Sequence, residues 1–86
     1  MYEVLLTHDT QEFYEAANVT LVRRLNRCFD QLRRNPYDHP NIRRLKGPLA
    51  GQWRYRVGDW RVVYRVDEDK HVVTVVFIAH RSKAYG

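Results

Sequence analysis

The segment from Trp53 to Arg65 most constrains how this chain folds. It alternates apolar or aromatic residues with mostly arginines on either side of Gly58-Asp59, a dipeptide that suits the positive φ angle of a tight two-residue hairpin. Pairing Val57 with Trp60 sets the register of the whole hairpin. Since side chains alternate across a strand, one face is apolar and the other carries arginines. The apolar set is Trp53, Tyr55, Val57, Trp60, Val62, Tyr64 and Val66, and the arginine set is Arg54, Arg56, Arg61 and Arg65.

This register places Arg56 directly opposite Arg61. Like charges in directly opposed positions destabilise a strand pair. A guanidinium, however, carries a fixed positive charge and a planar fork of donors that matches phosphate oxygens. We therefore interpret the arginine set as a surface that binds a polyanion.

Composition supports a polyanionic partner. The 86 residues predict one small domain over residues 1–86, with a net charge of +5 and a sequence pI of about 9.7. Between Arg23 and Arg65 the chain has twelve arginines and lysines against three aspartates. This balance favours nucleic acid or an acidic protein as partner, and a merely solvated basic surface is the alternative.

Other features exclude several classes of protein. Cys28 is the single cysteine, so no internal disulfide forms, and we expect a cytoplasmic protein whose Cys28 packs in the core. We expect neither a signal peptide nor a membrane-spanning segment, and no membrane partner. The four histidines and the cysteine show no zinc-ligand spacing, and there is no glycine-rich phosphate loop. We therefore expect neither a metal nor a cofactor.

The elements around the hairpin predict an α+β fold with the order β-α-α-β-β-β. We predict strands over residues 2–6 and 72–79, and helices over residues 10–17 and 20–34. The second helix has one apolar stripe, formed by Leu21, Val22, Leu25, Cys28, Phe29 and Leu32. Asn18 is expected to end the first helix, and residues 41–51 are interpreted as a basic connector. The last strand is so apolar that we expect it to be central and buried on both faces.

In this fold the helical hairpin covers the aromatic face of a mostly antiparallel four-stranded sheet and leaves the arginine face open. Converging arginines there would stabilise the negative charge of a phosphoryl-transfer transition state. Arg81, at the end of the last strand, and Tyr85 are further candidates, although alternation leaves the face of Arg81 open. The alternative for both is a solvated tail. His80 is expected to be a structural residue or a substrate contact rather than a base.

At these residues the chain resembles the RelE/ParE toxin superfamily, and within it the RelE-type messenger-RNA endonucleases. The resemblance covers essentially the whole chain, including the element order. The residues that carry it are Leu45-Lys46-Gly47, Trp53-Arg54-Tyr55-Arg56, Gly58-Asp59-Trp60-Arg61-Val62-Val63-Tyr64, and Ala79-His80-Arg81 followed by Tyr85.

The resemblance implies a metal-independent endoribonuclease that cleaves messenger RNA in the A site of the ribosomal 30S subunit and arrests translation. A 2′-hydroxyl attacks the adjacent phosphate and gives a 2′,3′-cyclic phosphate and a 5′-hydroxyl. The catalytic positions of the family correspond to Arg54, Arg56, Arg61, Arg81 and Tyr85. Lys46, Arg65, His80 and Lys83 are candidates for binding the substrate.

The resemblance also implies a cognate antitoxin, which we expect to be an acidic, partly disordered segment that folds as it binds. Operator DNA would be bound indirectly, through the antitoxin. Two alternatives stay open from the sequence: a ParE-type inhibitor of DNA gyrase, and a non-catalytic RNA-binding relic of a toxin.

Overall fold

A five-stranded sheet with two helices on one face forms the fold, as seen in a computed structural model that describes residues 1–83. The strand order is β1-β5-β4-β3-β2, with β1 parallel to β5 and the other neighbours antiparallel. The elements are β1 (Glu3–Leu6), α1 (His8–Ala16), α2 (Val19–Arg34), β2 (Ile42–Arg44), a short 3₁₀ helix (Gly47–Leu49), β3 (Trp53–Val57), β4 (Trp60–Asp67) and β5 (Val72–His80). The predicted α+β class is confirmed.

Strand β2 corrects the predicted count of four strands. It lies within residues 41–51, which we interpreted as a connector, and places Arg43 opposite Arg54 and Ile42 opposite Tyr55. Three residues of which two are arginines are too few for an alternating pattern to be recognised. The segment becomes a strand because the edge of β3 offers it backbone partners.

Both helices begin at polar caps. The Thr7 hydroxyl accepts a hydrogen bond from the backbone N–H of Thr10, and the Asn18 side chain accepts one from Leu21 at 2.9 Å. Asn18 therefore begins α2, and Ala17 caps the end of α1. The first helix also starts at His8, two residues before its predicted start.

The core lies between α2 and the aromatic face of the sheet. On α2 the buried residues are Leu25, Cys28, Phe29 and Leu32, and on the strands they are Ile42, Tyr55, Val57, Val62, Tyr64, Val73 and Val75. Burial raises the pKa of the Cys28 thiol, which therefore stays neutral in the core. The hydroxyl of Tyr64 donates to the backbone carbonyl of Pro36 at 2.6 Å, so this buried polar atom is satisfied. The prediction that the helical hairpin covers the aromatic face is confirmed.

The predicted hairpin register is confirmed, with Val57 opposite Trp60 and Arg56 opposite Arg61. Gly58 has a φ of 58° and is the first central residue of the turn, as in a type II′ hairpin.

The expected burial of the last strand is only half right. Strand β5 lies between β1 and β4, but Val73 and Val75 are its fully buried residues and the rest are half-buried. No helix within residues 1–83 is long and apolar enough to cross a membrane.

Candidate nucleic-acid interface

Five arginines lie on the sheet face opposite the helices, which we call the arginine face. They are Arg43, Arg54, Arg56, Arg61 and Arg65. Arg43 is opposite Arg54, and Arg56 is opposite Arg61. The Cβ atoms of directly opposed residues are about 4.5–5.5 Å apart, so each pair concentrates two positive charges within one phosphate's reach. The sheet thus holds together charges that repel each other unless an anion lies between them.

The densest part of this surface is at the β3–β4 turn. Arg61 donates through Nη1 to the carbonyls of Gly58 at 3.0 Å and Trp60 at 3.1 Å, which fixes one side of its guanidinium. Arg81 follows the end of β5, and its backbone N–H donates to the carbonyl of Asp59 at 2.7 Å. The Nε atom of Arg81 is 3.7 Å from a carboxylate oxygen of Asp59. We call Arg56, Arg61 and Arg81, grouped around this turn, the turn cluster.

The pairing of β4 with β5 explains how Arg81 reaches the turn. Arg61 lies opposite Ala79, two residues before Arg81. Arg56 and Arg81 are exposed, whereas Arg61 is half-buried. The turn cluster therefore combines one anchored guanidinium with two that are accessible to a ligand.

The middle of the arginine face is not open, which corrects the expectation that this whole face is left open. Val63, opposite Arg54, is fully buried, and Phe77, opposite Val63, is half-buried. Arg54 is itself half-buried and donates through Nη1 to the carbonyl of Asn41 at 2.7 Å. Arg54 is thus partly committed to holding the start of β2 against the sheet.

Two candidate substrate-binding residues lie at the far end of the sheet. Arg65 is four residues from Arg61 along β4, or about 13 Å. It is opposite Thr74 and borders a groove of about 430 Å³ that also contains Asp67, Glu68 and Asp69. Lys46 precedes the 3₁₀ helix, beside the pairing of Leu45 with Gln52. The structure does not bring Arg65 or Lys46 to the turn cluster.

His80 and Lys83 are close to the turn cluster along the chain but differ in position. His80 is opposite Trp60, and the two rings meet edge to face at 5.5 Å, so His80 lies on the helix-covered face. Its Nδ1 is 3.0 Å from the Ser82 hydroxyl. Lys83 is exposed, and its backbone N–H donates to the carbonyl of His80 at 2.8 Å. Tyr85 lies outside the described residues.

Sequence reasoning missed two cations near this surface. Arg43 joins the arginine face through β2, and only recognition of that strand would have found it. Arg24, on α2, approaches the turn so closely that a Cβ atom at Gly58 would be 3.0 Å from its Nη1. No sequence pattern relates a helix residue to a distant turn.

The chemistry available at the turn cluster is that of guanidinium groups. Three arginines surround a turn whose single acid, among the described residues there, is Asp59. Such an arrangement binds phosphate oxygens through charge-assisted hydrogen bonds and stabilises additional negative charge on them. Residues 1–83 contain no group of three or more His, Cys, Asp or Glu side chains placed to hold a metal ion.

The comparisons with known proteins agree with this fold and surface. Residues 5–85 match the family described as "ParE toxin of type II toxin-antitoxin system, parDE". The chain is 33% identical to Toxin RelE of Mycobacterium tuberculosis over an alignment of 89 positions, which covers 90% of this chain and 90% of that one. This chain therefore belongs to the ParE toxin family of the RelE/ParE superfamily, the toxins of type II toxin–antitoxin systems.

Solved structures show the same fold. The RelE–RelB complex from Pyrococcus horikoshii matches with a TM-score of 0.82 at 24% identity, covering 96% of this chain and 98% of that one. The toxin–antitoxin complex RelBE2 from Mycobacterium tuberculosis matches with a TM-score of 0.80 at 23% identity, covering 93% and 98%. The YoeB/ParE toxin from Agrobacterium tumefaciens matches with a TM-score of 0.81 at 24% identity, covering 91% and 96%. The predicted membership of the superfamily is confirmed.

Proposed function

We propose that this toxin is a ribosome-dependent, metal-independent endoribonuclease that cleaves messenger RNA in the A site and arrests translation. The observation that supports the proposal is the turn cluster, in which Arg56, Arg61 and Arg81 lie around the β3–β4 turn at one end of the sheet. The similarity to Toxin RelE at 33% identity supports the same class.

The proposed reaction is an internal transfer of a phosphodiester. The 2′-oxygen of one nucleotide forms a bond to its own 3′-phosphorus, and the bond from phosphorus to the 5′-oxygen of the next nucleotide breaks. The products are a 2′,3′-cyclic phosphate and a 5′-hydroxyl. The phosphorane-like transition state carries more negative charge than the substrate, and the guanidiniums of Arg56, Arg61 and Arg81 stabilise that charge. Arg54 holds the flanking phosphate.

Few groups at the turn cluster are suited to proton transfer. The Asp59 carboxylate is 3.7 Å from Arg81, and His80 lies on the other face of the sheet. We therefore assign proton transfer, or orientation of the substrate, to Tyr85, on the basis of the family pattern. An enzyme of this kind relies on electrostatics and positioning, which explains a requirement for the ribosome to order the messenger. Lys46, Arg65 and Lys83 are assigned to more distant contacts with RNA.

The proposed regulator is a cognate antitoxin. The relatives from Pyrococcus horikoshii and Mycobacterium tuberculosis are described as complexes of a toxin with its antitoxin. An acidic, partly disordered segment would neutralise the arginine face and fold as it binds. Operator DNA would be contacted through the antitoxin.

A second candidate function is inhibition of DNA gyrase without RNA cleavage. The observation that favours it is the match of residues 5–85 to a family named for ParE. The turn cluster favours the nuclease, because a protein-binding inhibitor has no need of three arginines grouped around one turn.

Mapping of RNA 5′ ends on translating ribosomes tests the nuclease. Phosphorylating the RNA before ligation captures 5′-hydroxyl ends, and we expect new ends inside A-site codons when the protein is added. Arg61→Ala should lower the cleavage rate about 100- to 1,000-fold, as the loss of one preorganised donor does in other enzymes. Arg81→Ala should also lower it, and Arg61→Lys should restore only part of the activity because it lacks the planar fork.

Arg23→Ala is the matched control, because Arg23 is an exposed arginine of α2 away from the turn cluster. Full cleavage by both Arg61→Ala and Arg81→Ala would show that the proposed site is wrong. Absence of new 5′ ends, together with loss of supercoiling by purified gyrase, would establish the second candidate instead.

A further inference from the structure

A second basic surface lies on the helix side of the molecule, along α2. At the β3–β4 turn a groove of about 360 Å³ is lined by residues of α2 and of the sheet edge, mainly Arg24, Arg27, Asn41, Tyr55, Arg56 and Gly58. A neighbouring groove of about 360 Å³ continues from Arg27 and Tyr55 to Arg34 and His39. Because Arg27 and Tyr55 line both, the two grooves adjoin, and we call them together the α2 groove.

The arginines of the α2 groove follow one stripe of the helix. Arg24, Arg27, Gln31 and Arg34 are spaced i, i+3, i+7 and i+10, so they share a face of α2. The stripe from Arg24 to Arg34 is about 15 Å long. Asp30 is the single acid among the residues described as lining the groove.

The α2 groove joins the arginine face at Arg56. This residue lines the groove and is also opposite Arg61 in the turn cluster. Strand β2 covers the edge of β3 only as far as Tyr55, and Asn41 completes the pairing by accepting from the N–H of Arg56. Within residues 1–83 no strand pairs with this edge of β3 beyond Arg56, and Arg56 therefore borders both surfaces.

The lining distinguishes a phosphate backbone from a peptide. A protein segment that docks in a groove needs apolar surface to bury around its anchor residues. The apolar residues here, Tyr55 and Val57, are only 7% and 6% exposed. Arg24, Arg27 and Arg34, by contrast, are exposed, and their guanidiniums suit a chain of phosphates joined by flexible sugars.

We propose that the α2 groove binds a single-stranded phosphodiester backbone, as a second RNA contact continuous with the turn cluster through Arg56. This inference deepens the proposed function, since it assigns an additional RNA contact to the same protein. The RNA bound there lies outside the scissile phosphate and contributes affinity rather than chemistry.

The dependence of RNA binding on salt tests this proposal. The probe is a fluorescently labelled twelve-nucleotide oligouridylate, and anisotropy gives its affinity for the whole chain over a series of KCl concentrations. The double variant Arg24→Gln, Arg27→Gln should bind more weakly, and the slope of log K against log salt should become shallower by about 1.4, or about 0.7 for each lost phosphate contact.

The matched control is the double variant Arg23→Gln, Lys70→Gln, which removes the same charge from exposed positions outside the groove. Its slope should equal that of the unmodified protein, and circular dichroism should show that both variants are folded. Equal slopes for the groove variant and the control would overturn the proposal. So would a groove variant that keeps RNA binding but loses binding of a glutamate-rich peptide. The measurement needs no cleavage, so it is independent of whether the nuclease assay succeeds.

Discussion

The two faces of the sheet use the same strands for opposite purposes. On the helix-covered face, Tyr55, Val62 and Tyr64 are buried against α2. On the arginine face, the same strands hold Arg56 opposite Arg61, an arrangement that costs stability. Packing on the helix-covered face stabilises the fold. The rigid sheet that results keeps the like charges of the arginine face close together.

This difference separates stability from function along a single strand. Residue by residue, β3 and β4 alternate between side chains that pack against the helices and side chains on the arginine face. On the second face, Arg56 and Arg65 are exposed, whereas Val63 is buried. Substitutions on the helix-covered face should therefore change the free energy of unfolding. Substitution of the exposed Arg56 on the arginine face should change activity while leaving stability nearly constant or slightly higher.

The largest effect on stability is expected from Leu25→Ala. Leu25 is fully buried in α2, and its loss leaves a cavity against the sheet. We expect the free energy of unfolding to fall by about 2–5 kcal/mol, measured by urea denaturation with tryptophan fluorescence. The control is Val19→Ala in the same helix, because Val19 is 66% exposed. Equal losses for both variants would contradict the assignment of the core to this face.

A smaller loss of stability is expected from Tyr64→Phe. The change removes the hydroxyl that donates to the Pro36 carbonyl and leaves that acceptor without its partner in the core. The free energy of unfolding should fall by about 1–3 kcal/mol, again measured in urea. In Tyr14→Phe the lost hydrogen bond to Asn26 is at the surface, and the change should be within about 0.5 kcal/mol. The reverse order would show that Tyr64 is not an important link between β4 and the loop.

Arg56→Thr should raise the free energy of unfolding, whereas the two preceding substitutions lower it. Removing the charge opposite Arg61 relieves repulsion, and the free energy of unfolding should rise by about 0.2–1 kcal/mol at low salt. In about 1 M NaCl the gain should shrink, since screening then acts over about 3 Å. Arg65→Thr is the control, because Arg65 is opposite Thr74 and not another cation. A gain that is equal in both variants, or unchanged by salt, would contradict repulsion as its cause.

The sequence alone predicts the hairpin and α2 because their signals are local. Alternation around Gly58-Asp59 fixes the register, and the apolar stripe that includes Leu25 and Leu32 fixes which face of α2 is buried. Strand β2 depends instead on an edge formed by residues nine to thirteen positions away. Arg43 was missed with it, although it completes the arginine face.

The position of His80 shows a second limit of prediction from the sequence. In β5, Val73 and Val75 face the helices. The pairing of β5 with β4 has an irregularity between Val63 and Tyr64, and beyond it the β5 residues that face the helices are Ile78 and His80. Because the bulge inserts one extra residue, the alternation of side chains between the two faces shifts by one. Counting alternate residues from one end of β5 therefore assigns the residues at the other end to the wrong face. Nothing in the apolar run from Val72 onward marks where the extra residue lies.

The smallest effect is expected at the rim between the two faces, at Glu68. Its carboxylate accepts hydrogen bonds from the hydroxyls of Tyr37 and Tyr2, the latter at 2.8 Å, and so links the residue before β1, the loop after α2 and the turn after β4. The hydrogen bond from Tyr37, and then that from Tyr2, lowers the pKa of Glu68. Because the folded state has the lower pKa, the stabilisation is complete above the unfolded value of about 4.3 and is lost as the pH falls through the folded value.

Glu68→Gln should therefore reduce stability near neutral pH and make the free energy of unfolding less sensitive to pH below about 4.3. Urea denaturation at a series of pH values between neutral and acidic measures this. Glu15→Gln, at an exposed position of α1, should leave the pH dependence as it is. The carboxylate of Glu68 is exposed, so solvent screens the effect and it should be smaller than that of any substitution in the core. If both variants keep the pH dependence of the unmodified protein, the tyrosine–carboxylate link does not stabilise the fold.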